Sequence, residues 1–282
     1  MLGSMSDKGI PDEVLEHYEQ GVDEDLRLRQ GLGELELLRT QEIIRRHLPP
    51  GSARILDVGG ASGIHAEWLL DDGHSVHLVD PLPGHVEQAS QRLGKYDGFS
   101  AEVGDARTLN AANRSYDAVL LLGPLYHLTE SADRVTAWCE ARRVVKGHGV
   151  VFGASITRYA PLFDGLIGGA LFDSTFRALT EENLSTGQHR NPTRAPGWFT
   201  TAYFHHPDEL AEEVAGAGLR VVELVGVEGL AAWVPELAER WDDPEGKETI
   251  LFSARAIESE PSLRGLSAHL IAVATPGHQH GA

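Results

Sequence analysis

The sequence predicts an α/β fold: a mostly parallel, seven-stranded sheet held as the middle of three layers between helices. Short apolar runs alternate with helical stretches from residue 53 to residue 157. The first run ends in a glycine cluster, Gly59-Gly60-Ala61-Ser62-Gly63. The second ends on a lone carboxylate, Asp80, before Pro81 and Pro83. Strands alternating with helices at this spacing pair in parallel, because each helical crossover returns the chain to the same end of the sheet.

Taken in order, Arg54–Val58 is the first strand, and Ile64–Leu70 the helix that follows the glycines. Asp71-Asp72-Gly73 turns the chain into a second strand, Ser75–Asp80, and His85–Leu93 is the next helix. A short third strand is expected at Ala101–Asp105 and a strongly apolar fourth at Tyr116–Leu122. Ala132–Lys146 reads as a helix stopped by Gly147 and Gly149, and Val150–Ser155 as the fifth strand. Arg220–Val227 and Ala268–Ala274 complete the sheet.

Three stretches fall outside that rhythm. Residues 1–52 form an expected helical cover, with Leu37, Gln41, Ile44 and Leu48 on one face before Pro49-Pro50. Residues 53–282 are the main domain, interrupted at 158–206 and 229–267. These interruptions are too long to be simple connections, so 158–206 is expected to be an acceptor lid.

The charge narrows the function. Acidic residues number 42 against 24 basic ones, for a net charge of -18. No cationic footprint is available for a phosphate backbone or an anionic bilayer, so neither nucleic acid nor membrane is an expected partner. Residues 1–30 are polar and lack the apolar core of a secretory signal, and a single cysteine, Cys139, excludes an internal disulfide. A cytoplasmic location is expected. Oligomeric state cannot be read from the sequence.

The glycine turn fits neither common nucleotide motif. The dinucleotide fingerprint needs glycine at three positions, which here hold Gly59, Ala61 and Ile64, or Gly60, Ser62 and His65. No Gly-Lys-Ser/Thr follows to make a phosphate loop. What fits is Asp-x-Gly-x-Gly-x-Gly, read as Asp57, Gly59, Ala61 and Gly63, with alanine in place of the middle glycine. That substitution matters if the position needs positive φ.

With these motifs, residues 53–157 resemble the class I S-adenosylmethionine-dependent methyltransferases, a Rossmann-like family. The resemblance implies S-adenosyl-L-methionine as cofactor. It implies that the turn of Asp57, Gly59, Gly60, Ala61 and Gly63 admits the methionine moiety. It further implies that Asp80, with Pro81, grips the ribose hydroxyls, that Asp105 and Ala106 meet the adenine, and that Leu122 borders the transferable methyl. Arg27 is a candidate for the cofactor carboxylate, against the alternative of a solvated charge. No close carboxylate cluster sits where relatives hold magnesium, so no metal is expected.

Acceptor chemistry belongs near Tyr126-His127, on the N-terminal segment, or in the first interruption. His127 is a candidate base, since an imidazole titrates near neutrality; a loop-holding role is the alternative. Tyr126 and Tyr18 are further catalytic candidates, and Glu19 a substrate contact. Residues 158–206 hold Tyr159, Phe163, Phe172, Phe176, Trp198, Phe199, Tyr203 and Phe204, far above their share by length, and their charges cancel. Trp198, Tyr203, Phe204 and His206 are therefore candidate contacts to a flat, aromatic acceptor, with helix entry the alternative for His206. The segment resembles methyltransferases of bacterial secondary metabolism, natural-product enzymes that act on nitrogen, oxygen or carbon. The resemblance slightly favours carbon, including indole C3. A non-catalytic S-adenosylmethionine-binding module is the competing class.

Overall fold

The computed structural model describes residues 13–14, 24–31, 33–191, 195 and 198–277. Nine strands are described: β1 (Arg54–Val58), β2 (Ser75–Asp80), β3 (Phe99–Val103), β4 (Tyr116–Leu121), β5 (Val145–Ile156), β6 (Gln188–His189), β7 (Ala202–Tyr203), β8 (Leu219–Gly226) and β9 (His269–Pro276). Seven form the main sheet in the order β3-β2-β1-β4-β5-β9-β8, and β6 pairs with β7 in a separate ribbon. From β3 to β5 every pairing is parallel; β9 runs antiparallel to both β5 and β8. The fold class expected from the sequence is the one observed.

Strand alternation explains the layers, because successive side chains leave opposite faces. Leu56, Val58, Val119 and Leu121 pack with Trp138 and Ala141 of the helix Ser131–Val144 and with Leu210 and Val214 of the helix Pro207–Gly216. Ile55, Leu78, Leu120 and Phe152 face the other way. They meet Ile43 and Ile44 of Gly33–His47, Leu69 of Ile64–Asp71 and Leu93 of Pro83–Leu93. In chain order the described helices are α1 (Glu24–Leu28), α2 (Gly33–His47), α3 (Ile64–Asp71), α4 (Pro83–Leu93), α5 (Pro124–His127) and α6 (Ser131–Val144), then α7 (Ala160–Ile167), α8 (Ser174–Thr186), α9 (Pro207–Gly216), α10 (Glu236–Arg240) and α11 (Pro244–Ile257).

Register places the site. Val58 lies beside Val79 and Leu121, and Asp80 beside Val103, so β1, β2, β3 and β4 end at one rim. The strand order reverses between β1 and β4, the position where open α/β sheets leave a crevice.

Three local expectations are corrected. The third strand starts earlier, at Phe99, and ends at Val103, leaving Gly104 and Asp105 in the turn beyond it. The helix expected to run to Lys146 ends at Val144, and the chain passes directly into β5, whose Val145 pairs with Tyr116. Extension wins because the sheet gives Val145 a partner before the glycines are reached. On α2 the buried face is Leu35, Arg39, Thr40, Ile43 and Ile44, not the line through Leu37 and Gln41. Arg39 is drawn inward by partners far along the chain, the Val227 carbonyl (3.2 Å) and Glu258, as well as by Glu42.

A second buried arginine fixes the rim. Arg134 of α6 donates through Nε to Glu213 of α9 (2.8 Å) and through one terminal nitrogen to the carbonyls of Leu128 and Thr129 (both 2.9 Å). Its guanidinium lies 3.6 Å from the centre of the Tyr203 ring. It therefore joins α6, α9, the loop after α5 and the β6–β7 ribbon. Removing one partner of such a pair leaves the other charge buried and uncompensated. Arg134→Met is expected to cost about 3 kcal/mol in urea unfolding, with Glu213→Gln in the same chain recovering part of the loss.

Candidate active site

A cavity of ≈ 160 Å³ opens at the rim. Its walls come from the turn after β1 (Gly59, Gly60, Ala61), the ends of β2 and β3 (Asp80, Pro81, Gly104, Asp105, Ala106) and the turn after β4 (Leu122, Tyr126, His127). Val14, Arg27, Leu28 and Glu36 close it from the N-terminal side.

Asp80 organises the floor. It is 4% exposed, and its Oδ2 accepts the Ala61 N–H (2.9 Å) while Oδ1 accepts the Leu82 N–H (2.9 Å) and faces His85 Nδ1 at 3.0 Å. This bond holds Ala61 at φ 47°, the left-handed region. An L-residue there is strained by its Cβ, and the sequence places alanine where the motif has glycine. Gly60 has the opposite requirement: a Cβ added there would lie 2.6 Å from Asp57 Oδ2 and 2.8 Å from Leu78 Cδ1. The turn is thus as tight as it can be drawn against Asp57. That carboxyl is 1% exposed, and its Oδ2 has no hydrogen-bond partner among the described residues. Burial, helped by the charge of Asp80, pushes it up to about 7.

At the adenine end, Asp105 lines the cavity, but Arg107 claims its carboxylate. Arg107 donates its N–H and Nε to Oδ1 (2.8 and 3.0 Å) and a terminal nitrogen to Oδ2 (2.6 Å). Burial would raise the Asp105 pKa; Arg107 outweighs it and holds the group below the ordinary carboxylate range.

At the other end stands an ionic chain. Arg27 donates two hydrogen bonds to Glu36 (2.6 and 3.2 Å). Glu36 lies 3.8 Å from His269 Nδ1, and that nitrogen is 2.5 Å from Glu228, which is 3% exposed. Burial opposes ionisation of Glu36, but His269 and Arg27 overcome it and draw the carboxyl down to about 2. Burial likewise lowers His269, and the two carboxylates outweigh it and lift the imidazole to about 9. Glu36, Glu228 and His269 form a cluster of metal-ligating types that the sequence does not announce, since its members lie far apart in the chain. Here they are paired with one another and with Arg27. His65, also lining the cavity, accepts from Trp68 Nε1 at 3.3 Å and is pushed down to about 4 by burial despite Glu36.

The rim thus gathers Asp57, Gly59, Gly60, Ala61, Asp80, Pro81, Asp105, Ala106, Leu122, Arg27, Tyr126 and His127. Gly63 does not line the cavity; it sits behind the turn at φ 88° as the N-cap of α3. Tyr18 and Glu19 lie outside the described residues. The expected acceptor contacts are not on the cavity wall. His206 caps α9, with its side chain and that of Glu209 forming a capping box. Tyr203 donates to Glu209 (3.0 Å) and packs under Arg134. Trp198 meets Phe176 edge-on at 5.0 Å. Phe204, 3% exposed, belongs to an apolar cluster with Ile156 and Ala160, against which Tyr126, Phe199 and Trp233 pack. His65, His85 and Glu36 are wall residues that sequence reasoning passed over; only His85, five residues past Asp80, gave a local signal.

The family described as Methyltransferase domain matches residues 55–149, the stretch that builds this rim. The match takes in β1 to β4 and the helices between them. The chain is 28% identical over 186 residues to a ubiquinone biosynthesis O-methyltransferase of Azorhizobium caulinodans, covering 64% of this chain and 63% of the relative. It is 31% identical over 104 residues to a glycine/sarcosine N-methyltransferase of Parasynechococcus marenigrum, covering 36% and 37%. The chain spans less than two thirds of the length of the first of these relatives. Among solved structures, the N-methyltransferase NodS of Bradyrhizobium japonicum, in complex with S-adenosyl-L-homocysteine, shares the fold at a TM-score of 0.56 and 16% identity, covering 94% of this chain and 98% of NodS. The chain therefore shares its fold with a solved N-methyltransferase that holds the product of S-adenosylmethionine, and its relatives are named for transfer to oxygen and to nitrogen.

Its residues fit that cofactor. Asp80 has acceptor lone pairs for hydroxyl donors, the Gly59-Gly60 turn lines the cavity with its Cβ positions closed off by Pro124, Asp57 and Leu78, and the unpartnered Asp57 oxygen lies beneath.

Two outcomes are expected. Ala61→Gly relieves the φ 47° strain and raises stability by about 1 kcal/mol in denaturant unfolding. His269, raised from 6.5 to about 9, contributes stability that is complete below pH 6.5 and is lost as pH climbs through 9. His269→Gln should flatten that alkaline limb in a melting-temperature profile.

Proposed function

We propose that the protein is an S-adenosylmethionine-dependent methyltransferase acting on a small aromatic acceptor. The observation that carries this is continuity: the cavity runs from Asp80 and the glycine turn to Tyr126 and His127, and the Phe199 ring stands directly beyond them. Phe199 stacks on His127 at 6.0 Å and 17° and lies 6.3 Å from Tyr126.

When bound, the cofactor supplies an electrophilic methyl group on a sulfonium and its own leaving group. The chain's work is then to bind, align and exclude water. Asp80, Asp105 and the Gly59-Gly60 backbone would hold the nucleoside and methionine parts, with Arg27 on the carboxylate side. Tyr126 and His127 face the acceptor; the His127 imidazole can accept a proton from it, and the Tyr126 hydroxyl can hydrogen-bond it. Val14 and the N-terminal helices complete the wall against water. Glu13 links this cover to the first interruption, accepting from Thr200 Oγ1 (3.1 Å) and Thr201 Oγ1 (2.5 Å). That tie supports reading residues 1–52 as a cover and 158–206 as a lid.

Oxygen is the acceptor atom favoured by the ubiquinone-named relatives, and nitrogen by the glycine/sarcosine one. Carbon, indole C3 included, rests on the sequence resemblance together with the aromatic content of residues 158–206. The acid excess and the neutral lid support a small uncharged acceptor over nucleic acid. Among the described residues no helix is long and apolar enough to cross a membrane.

Incubation with S-adenosylmethionine and a panel of phenols, aromatic amines and indoles is expected to yield S-adenosylhomocysteine with at least one of them. The methylated atom is then located by mass spectrometry and NMR. Asp80→Asn should weaken S-adenosylhomocysteine binding about tenfold or more. Tight cofactor binding with no turnover anywhere on the panel would favour the non-catalytic module instead.

A further inference from the structure

His189 is a buried imidazole with nothing to do. It lies on β6 at 5% exposure, and among the described residues neither ring nitrogen makes a hydrogen bond. A polar contact with the Phe199 backbone falls short of hydrogen-bond geometry. A buried polar group without partners forfeits the hydrogen bonds it made in water, and an apolar side chain of similar size would avoid that cost. Packing alone therefore gives no reason for histidine at this position.

Its surroundings give one. The imidazole stacks on Phe204 at 4.8 Å and 18°, and its centre is 6.4 Å from the Phe199 ring. Phe199 in turn stacks on His127, at the cavity mouth. His127, Phe199, His189 and Phe204 thus form a row of rings that begins at the cavity wall. The support beneath His189 is rigid. Its backbone pairs with Ala202, Gln188 Nε2 donates to the Thr129 carbonyl (3.1 Å), and Phe204 N–H donates to the Gly187 carbonyl (2.7 Å). Ordering of this kind is what a hydrogen-bonding subsite requires.

We propose that His189 is a specificity-determining residue of the acceptor site, hydrogen-bonding an N–H or O–H of a flat, uncharged aromatic acceptor lodged against Phe199. This rests on the reading of the protein as a methyltransferase of small aromatics. Burial holds the imidazole neutral, down to about 4. A neutral imidazole offers one donor and one acceptor, which suits a phenol or an indole N–H and provides no countercharge for a carboxylate. A site built around a buried hydrogen bond rejects the analogue that lacks the group, because its own polar atom is then left unpaired.

The test compares indole with 1-methylindole, and 2-naphthol with naphthalene, titrated into the full chain saturated with S-adenosylhomocysteine. Affinity and the ¹⁵N shifts of the histidine rings are followed by NMR. The protic member of each pair is expected to bind about tenfold more tightly and to move the His189 resonances. In His189→Phe the preference should collapse to within twofold, while S-adenosylhomocysteine affinity stays unchanged; His189→Gln should restore most of it. Equal binding of protic and aprotic probes to the wild-type chain overturns the role of His189 and leaves the aromatic site standing. So does a preference that survives in His189→Phe. Binding of none of the four probes overturns the aromatic-acceptor reading and this inference with it.

Discussion

The site depends on one buried carboxylate. Asp80 accepts hydrogen bonds from the loop after β1 and from the loop after β2, so two crossover connections share a single anchor. Without it, the Ala61 N–H would lie at the rim with no partner, and nothing would offset the strain of its left-handed backbone. The same carboxylate brings a second negative charge close to Asp57. The fold accommodates this by burying Asp57 so deeply that its proton is held to near neutrality. Tight glycine packing, backbone strain and a displaced pKa are three results of drawing one turn down onto one oxygen.

A different principle holds the cover in place. Few of the contacts between the N-terminal helices and the rest of the chain are local in sequence, and beside the apolar packing of Ile43 and Ile44 they include a set of ionic ties. Arg39 reaches Glu258, Glu36 reaches His269, and Asp25 of α1 takes Ser62 of the glycine turn (2.7 Å) and Arg92. Part of the acid excess is therefore internal structure, with carboxylates placed to receive arginines and a histidine. Such pairs fix orientation more than they add stability, since desolvating both charges offsets much of their attraction.

The strands and the rim were legible because their signals are local. Apolar runs, the glycine cluster and a carboxylate at a strand end all lie within a few residues of one another. Asp57, Gly59, Gly60, Asp80 and Asp105 could be assigned to a site on that basis, and the cavity gathers them. What could not be read was which of two partners a side chain meets. Tyr203 and His206 lie in an aromatic-rich stretch, yet Arg134, Glu209 and the start of α9 take them up. Arg107 sits two residues from Asp105, but only the folded turn shows it enclosing that carboxylate. Glu36 and His269, at opposite ends of the sequence, meet because β9 is the strand that enters the sheet last. His189 gave no signal, because its place in the row of rings is set by a two-residue pairing with β7.

That late strand has a consequence for how the molecule comes into being. β9 is inserted between β5 and β8, two strands made before it that never touch each other across the sheet. During synthesis, β8 therefore emerges before its one sheet neighbour exists, and β5 carries an open edge on the side away from β4. Unpaired edges of this kind recruit other chains. The nascent protein is thus exposed to aggregation until β9 leaves the ribosome, and the ionic end of the site, which needs His269, can close only after that moment.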